Sequence, residues 1–568
     1  MTITDAQSNT PRFKGKALPE GSGPVNILDV DYLHVKTADG GDLYLTKYGL
    51  PFIDNLHPDN WHEKSWFEQN REKLVGTSTV YKVPTRTVNG RNVNLVVKWC
   101  RVGEDVPMDT LTLNKFIEAE FNSPYEEFSL LLEMRDHSYP RVIRTHRPLG
   151  IYVPAQRMKL WQTGRSTTKI AQKKAKHRDV ELDIYRQYIL IYEWIEGVSA
   201  VEAYHRLIPD REARRQELEK LTYRVIDELA GKGYRVLDMK PEHIIVRFRP
   251  DGTLLKRHDG RLRYALVDFE LLDRTPEYEK EVKARRRASY LTRQRDRFHA
   301  PREKKFPEHL RPATIMGVDY VYGHTESTQG SLWVVGNDPG LFDYFQPERW
   351  RRTKRQKISQ TNEVYYTKTK DNIHLVWKVS KVGEMPDFDT NDERGRRIVE
   401  FGYNSPFEEF ALAAEFIRRG IPGVYPRAVY MTGQESGADD YIADGRRYES
   451  HIQILGPEGE PVLRADHLYI TIWGYWNGLD ELLATRDGEY VKGINLLEAS
   501  AKGAVGEEVF KDLLRRQGGR LEAAGFEDLN LKADHLLLSL MPSGDYVRDA
   551  EALPEVRHCN FELMKRRK

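Results

Sequence analysis

The stretch Leu237-Asp238-Met239-Lys240-Pro241-Glu242-His243-Ile244-Ile245-Val246 is followed, after a Gly-containing hairpin, by Ala265-Leu266-Val267-Asp268-Phe269-Glu270, and this pairing sets the reading of the chain. One Asp stands in a loop between a helical segment and a β-rich run. The second closes the next β-rich run. Phosphoryl transfer asks little covalent work of a protein, so catalysis is positioning plus charge neutralisation: one carboxylate orients the acceptor hydroxyl and another holds magnesium on the phosphates. Asp238 is expected to do the first and Asp268 the second.

With these residues the sequence resembles the protein-kinase-like superfamily, whose catalytic loop reads His-Arg-Asp-Leu-Lys-Pro-Glu-Asn, with Asp-Phe-Gly downstream. Asp238, Lys240, Pro241 and Glu242 match in register. Val236-Leu237 stands in place of His-Arg, His243 in place of the metal-binding Asn, and Glu270 in place of the Gly. The Asp-x4-His spacing is similar to the lipopolysaccharide-kinase branch. The resemblance implies ATP and magnesium as cofactors, with Asp268 and His243 as the metal ligands, although imidazole suits magnesium less well than an amide oxygen does.

Composition bounds the rest. A chain of 568 residues is long enough for two to four domains, and 39% hydrophobic with 31% charged residues fits a soluble globular protein. The formal net charge of +2 does not mark the whole molecule as a polyanion binder. Cys100 and Cys559 are the only cysteines, which excludes a disulfide scaffold and an all-cysteine zinc site. No apolar run approaches the ~18 residues that would span a bilayer, and the first residues lack the apolar core of a secretory signal. A cytoplasmic location is expected.

Residues 1–24 are rich in Ser, Thr, Gly, Pro and charge and are expected to be a disordered tail. Short β-like runs follow, then Leu74 to Val83, and Asn89-Gly90 leads into Val93-Asn94-Leu95-Val96-Val97-Lys98. A strand ending in Lys matches the family pattern in which that Lys meets phosphates, so Lys98 is the candidate. Gly76 is the single Gly of the phosphate-covering segment, and the Ser78 and Thr79 hydroxyls are expected to help. In Asn122-Ser123-Pro124-Tyr125-Glu126-Glu127-Phe128, Ser123 reads as an N-cap and Pro124 as the first helical residue. Kinases pair the strand Lys with a Glu on such a helix; Glu127 is the choice and Glu126 the alternative. Tyr188 to Gly197 is an apolar strand where the family places its adenine-facing hinge, so backbone groups from Glu193 to Ile195 are expected to meet the base.

Beyond Asp268 the sequence turns basic, from Lys280 to Lys305, which reads as a solvated helix or linker that could meet an anionic partner. The second half then repeats the first. Val96-Val97-Lys98 returns as Val376-Trp377-Lys378, and Asn122 to Phe128 returns as Asn404-Ser405-Pro406-Phe407-Glu408-Glu409-Phe410. His57-Pro58-Asp59-Asn60-Trp61 returns more loosely as Gln346-Pro347-Glu348-Arg349-Trp350. Leu237-Asp238-Met239-Lys240 becomes Leu529-Asn530-Leu531-Lys532 with His535 after it, and Asp268-Phe269-Glu270 becomes Asn560-Phe561-Glu562. Both Asp positions are Asn in the second copy, and a neutral amide neither acts as a base nor holds magnesium strongly.

The expected architecture is α+β, with two tandem kinase-like bilobal domains whose second lobes are reduced. Residues 25–275 form the first domain, 276–315 a basic linker and 316–568 a pseudokinase-like domain. Little chain follows the Asn560 motif, so the large helical subdomain that protein kinases use for peptides is missing, which favours the compact lipopolysaccharide-kinase or RIO-like style. The expected function is ATP-dependent phosphotransfer by the first domain. Lys98, held by Glu127, binds phosphates; Asp268 and His243 hold metal; Asp238 orients or deprotonates the acceptor hydroxyl; Lys240 steadies the transferring group. The acceptor is open between a sugar, a lipid-linked sugar and a protein. A non-catalytic nucleotide-binding scaffold of two pseudokinases and a nucleotidyltransferase on the same fold are the alternatives.

Overall fold

In this computed structural model the described residues are 22–74, 79–100, 121–136, 143–159, 185–299, 306–351, 353–359, 362–433, 442–475, 494–539, 543 and 545–567. Gly76 and Ser78 lie outside them. The chain divides into two compact units, Met1–Lys173 with Leu182–Val282, and Lys174–Glu181 with Lys283–Lys568. Each is mixed α and β around one large antiparallel sheet.

In the first unit the strands β1 (Gly23–Ile27), β2 (Val30–Lys36), β3 (Asp42–Leu45), β4 (Glu72–Lys73), β5 (Val80–Pro84) and β6 (Asn94–Trp99) come first. After β7 (Arg144–Thr145) come β8 (Pro148–Val153) and β9 (Ile189–Glu193). All but β7 form one eight-stranded sheet in the order β1-β2-β3-β8-β9-β6-β5-β4. Asn89 and Gly90 take positive φ (53° and 74°) between β5 and β6. Two left-handed residues match the twist of a tight hairpin, which is why Asn-Gly serves there. β1 begins at Gly23, so the end of the segment expected as a tail is sheet.

Helix α1 (Pro124–Asp136) packs Tyr125, Phe128, Leu131 and Leu132 into the core shared with Leu190 and Tyr192 of β9. The helix Arg211–Ala230 is capped by Asp210, whose side chain accepts from the Ala213 N–H, and buries Leu221, Val225 and Leu229. It delivers the chain to β11 (Tyr234–Val236), after β10 (Val198–Ser199). The segment Asp238–His243 follows, then β12 (Ile244–Val246), β13 (Tyr264–Leu266) and β14 (Leu272–Arg274). β11 pairs with β14, and β12 with β13.

The second unit repeats this plan. Its strands β15 (Leu310–Ile315), β16 (Val318–Thr325), β17 (Gly330–Val335), β18 (Arg355–Lys357), β19 (Val364–Lys368), β20 (His374–Val379), β21 (Pro426–Met431) and β22 (Tyr469–Gly474) lie in the order β15-β16-β17-β21-β22-β20-β19-β18. Rank for rank this is the order of the first sheet. The duplication therefore extends to β1–β3 and β15–β17, where Ile27-Leu28-Asp29-Val30-Asp31-Tyr32 returns as Ile315-Met316-Gly317-Val318-Asp319-Tyr320 at the same turn. Trp61 and Trp350 mark the repeat from within: their indole N–H groups donate to Leu56 O and Phe345 O, both at 3.0 Å.

The expected linker 276–315 is corrected. Its first part is the helix Pro276–Arg295 and its last part is β15. Arg286 pairs with Asp343 (2.5 Å) and with Asp371, and Arg293 pairs with Asp338 (2.7 Å), so part of the basic run is neutralised by acids of the second unit. No helix among the described residues is long and apolar enough to cross a membrane.

A candidate active site and its neutralised copy

The two Asp-bearing loops of the first unit are held together from both ends. The Val267 N–H donates to His243 O (3.1 Å) and the Leu237 N–H to Leu271 O (3.1 Å), while β12–β13 and β11–β14 pair on either side. α1 is anchored to the same place: the Asn122 N–H donates to Glu270 O (2.9 Å) and its side-chain amide to Leu272 O (2.8 Å). Sequence neighbours far apart in the chain therefore converge on one short stretch, Asp268–Leu272.

At the centre is the Lys98 ammonium on β6, with the side chain 6% exposed. It donates to Asp268 Oδ1 at 2.8 Å and lies 3.1 Å from Glu270 Oε2 and 3.6 Å from Glu127 Oε1. Glu126 is turned elsewhere: it accepts from the Ser123 N–H (2.9 Å) while Ser123 Oγ accepts from the Glu126 N–H (3.2 Å), a reciprocal cap. That leaves Glu127, four residues along from Ser123, to point at the sheet. Tyr192 donates its hydroxyl to Glu127 Oε1 (2.5 Å), and His146 stacks on the Tyr192 ring with centroids 3.8 Å apart.

Three carboxylates around one ammonium leave an excess of negative charge, and the protonation states follow from it. Burial opposes the charged form of Lys98, but Asp268, Glu127 and Glu270 outweigh it and hold the ammonium protonated well above its usual range. Burial lifts Glu127 to about 7 against Lys98 and the Tyr192 hydrogen bond. Asp268 goes the other way: burial would raise it, but Lys98 and then His243 hold it well below the usual carboxylate range. The cluster thus keeps a charged Asp268 at the solvent side and a proton-retaining Glu127 behind it.

Asp268 adopts a left-handed backbone conformation with φ +66°. Asp tolerates this region better than most residues, yet it costs energy that surrounding structure must offset. His243 Nε2 lies 3.6 Å from Asp268 Oδ2, and His243 Nδ1 is buried without a hydrogen-bond partner. Asp238 is buried in the same loop, with Lys240 Nζ at 3.7 Å from its Oδ2. Among the described residues no three His, Cys, Asp or Glu side chains are placed to cage a metal. Asp268 and His243 are a pair, which fits a cation that brings waters and phosphate oxygens with it.

Of the backbone contacts expected at Glu193 and Ile195, the Glu193 amide is not available. It donates to Arg147 O (3.0 Å), as the Trp194 amide does to Asn94 O (2.9 Å), because sheet pairing claims both. Sequence reasoning missed Glu270, Tyr192 and His146 as members of the cluster. One signal for Glu270 was present: its position stays Glu in the repeat, at Glu562, while the neighbouring Asp does not persist.

The second unit has the same frame with less charge. Lys378 lies 2.7 Å from Glu409 and 3.2 Å from Glu562. Burial again raises Glu409, to about 7, while Glu562, despite burial, is lowered by Lys378. Asn404 repeats the anchor, its N–H on Glu562 O (2.8 Å) and its amide on Phe561 O and Met564 O (2.8 and 2.7 Å). At the position of Asp268 the two units part. Asn560 Nδ2 donates to His535 Nε2 at 3.0 Å, which occupies the lone pair an imidazole would offer a cation, and Asn560 does not share the left-handed backbone of Asp268. Asn530 accepts from Arg394 Nη2 (3.4 Å).

No protein-family model matches this chain, and no curated protein does.

Proposed function

We propose that the first unit transfers a phosphoryl group from ATP to a hydroxyl-bearing acceptor, and that the second is a non-catalytic copy with the kinase-like frame retained. The observation that carries this reading is the Lys98–Asp268 pair, backed by Glu127 from α1, on a loop tied to Asp238. A strand Lys held by a helical Glu beside a metal-binding Asp is the charge arrangement that protein-kinase-like phosphotransfer uses. Bound ATP would supply the γ-phosphoryl group, and magnesium would neutralise its developing charge. Lys98 would bind phosphate oxygens while Glu127 fixes its direction. Asp268 and His243 face the cation. Asp238 accepts the hydroxyl proton of the acceptor, and Lys240 steadies the group in transit.

The neutralised duplicate supports the same reading. Asn530 and Asn560 preserve shape and hydrogen bonding, so the fold survives without either charge, and the two Asp of the first unit are not demanded by folding. The test is magnesium-dependent ATP turnover by the full chain against Asp268→Asn, which makes the change found in the second unit. Equal turnover in both proteins would overturn the proposal in favour of a nucleotide-binding scaffold.

A further inference from the structure

A second charged feature of the first unit lies away from Lys98. β10, β12, β13 and β7 form a small sheet in that order, in which Val246 pairs with Tyr264 and Ala265 with Arg144. Beyond Val246 and Tyr264, Leu255 joins the two strands, its N–H donating to Arg247 O (2.8 Å) and its carbonyl accepting from the Arg263 N–H (2.9 Å), and Arg144 stands beside Ala265, two residues from Arg263. Side chains two apart along a strand share a face. Arg144, Arg247 and Arg263 are all exposed, and all three line a shallow, open cleft with Ile195, Glu196 and Ile245.

Among the described residues none of the three arginines makes an ion pair, whereas nearby Arg147 is taken by Glu193 at 3.3 Å. Glu196 is the single carboxylate in the lining. Burial and then the charges of Arg263 and Arg247 weaken the hold of Arg144 on its proton. Three like charges that outnumber the nearby carboxylates, Glu193 and Glu196, cost folding free energy, so folding alone gives little reason for them. The duplicate makes the same point: the matching register positions in the second unit are Pro422, Ser539 and Glu555, on the pairing of Leu538 with Val556 and the bridge of Gly423 to His558. There the same face carries Arg557, at the position of Ala265, paired with Glu555 at 3.4 Å, in place of three arginines.

We propose that Arg144, Arg247 and Arg263 form a binding site for a phosphate-bearing ligand, distinct from the Lys98 cluster. Guanidinium groups present planar forks of N–H donors that match phosphate oxygens. The cleft is shallow and open, which suits a phosphate group whose remainder extends into solvent. Arg263 lies five residues before Asp268, roughly 16 Å of extended chain at ~3.3 Å per residue. Tyr264 is the one aromatic residue in the lining, and it is buried with its hydroxyl donating to Glu228 (2.5 Å), so it offers no platform for base stacking.

The experiment is calorimetric titration of the full chain, in EDTA to keep magnesium out of the Lys98 site, with inorganic pyrophosphate in one arm. Phosphatidylcholine vesicles carrying phosphatidic acid, scored by flotation, form the other. The double variant Arg247→Ser, Arg263→Glu installs the second unit's residues, and Arg144→Gln is the conservative single change. Binding should weaken at least tenfold in the double variant and less in Arg144→Gln, with wild-type circular dichroism and an unliganded Tm that does not fall. A loss in the pyrophosphate arm assigns a soluble phosphate; a loss with vesicles alone assigns a lipid headgroup. Unchanged binding in the double variant, or no binding of either probe by the wild type, overturns the proposal.

Discussion

Lys98 and Asp268, 170 residues apart in the sequence, meet at 2.8 Å, and the same Asp carboxylate faces His243 at 3.6 Å. Their counterparts Lys378 and Asn560 share no ion pair, because the Asn560 amide carries no charge, and it is hydrogen-bonded to His535 instead. One chain thus carries a charged form and a neutral form of one site, and the difference between them generates most of the tests below.

Asp268→Asn should lower magnesium-dependent ATP turnover by about 10²–10³-fold, the usual cost of deleting one preorganised electrostatic contact to a transition state. Because Asn fits the same frame in the second unit, the variant should keep the wild-type circular dichroism and a Tm close to wild type. A steady-state phosphate-release assay beside a thermal melt checks both halves.

Lys378→Met should destabilise the second unit by about 3–5 kcal/mol, since it strands the buried carboxylates of Glu409 and Glu562 without a cation. ATP turnover by the first unit should be unaffected. The triple change Lys378→Met, Glu409→Gln, Glu562→Gln should recover much of the loss, which urea denaturation of the three proteins would read out.

The raised carboxyl of Glu127 makes a pH prediction. Its folded-state value of about 7 lies above the ordinary 4.5, so between these two the native chain holds a proton that the unfolded chain has released. Rising pH through this window therefore favours unfolding, by at most about 3 kcal/mol. Glu127→Gln lacks the group, so the stability of the wild type relative to this variant should fall from pH 4.5 to pH 7 and level off above. Denaturation midpoints at pH 5, 6, 7 and 8 would show it; a flat difference would mean that Glu127 is ionised throughout.

Asn404→Ala should cost about 1–3 kcal/mol, because it removes the side-chain amide that donates to the Phe561 and Met564 carbonyls. Because this anchor ties α2 (Pro406–Arg418) to the Asn560 motif, hydrogen exchange should rise at Glu562–Met564 more than in β20. Uniform protection across both segments would contradict the anchoring role.

The sequence by itself determined the duplication, the two Asp positions, the Lys and Glu that meet them and the neutral Asn pair of the second copy. These are local patterns: an Asn-Gly turn, a Ser-Pro helix start and apolar runs ending in charge each report on a few neighbouring residues. Only the tertiary structure decided that Glu126 serves the helix cap while Glu127 turns to Lys98, because that choice depends on which side of α1 the sheet lies. It also brought Glu270 to the ammonium and claimed the Glu193 amide for the sheet. The three arginines of the small sheet form a cluster only through strand register. A pairing between strands more than a hundred residues apart leaves no periodicity in the sequence, so the charge density it creates becomes legible only once the strands are aligned.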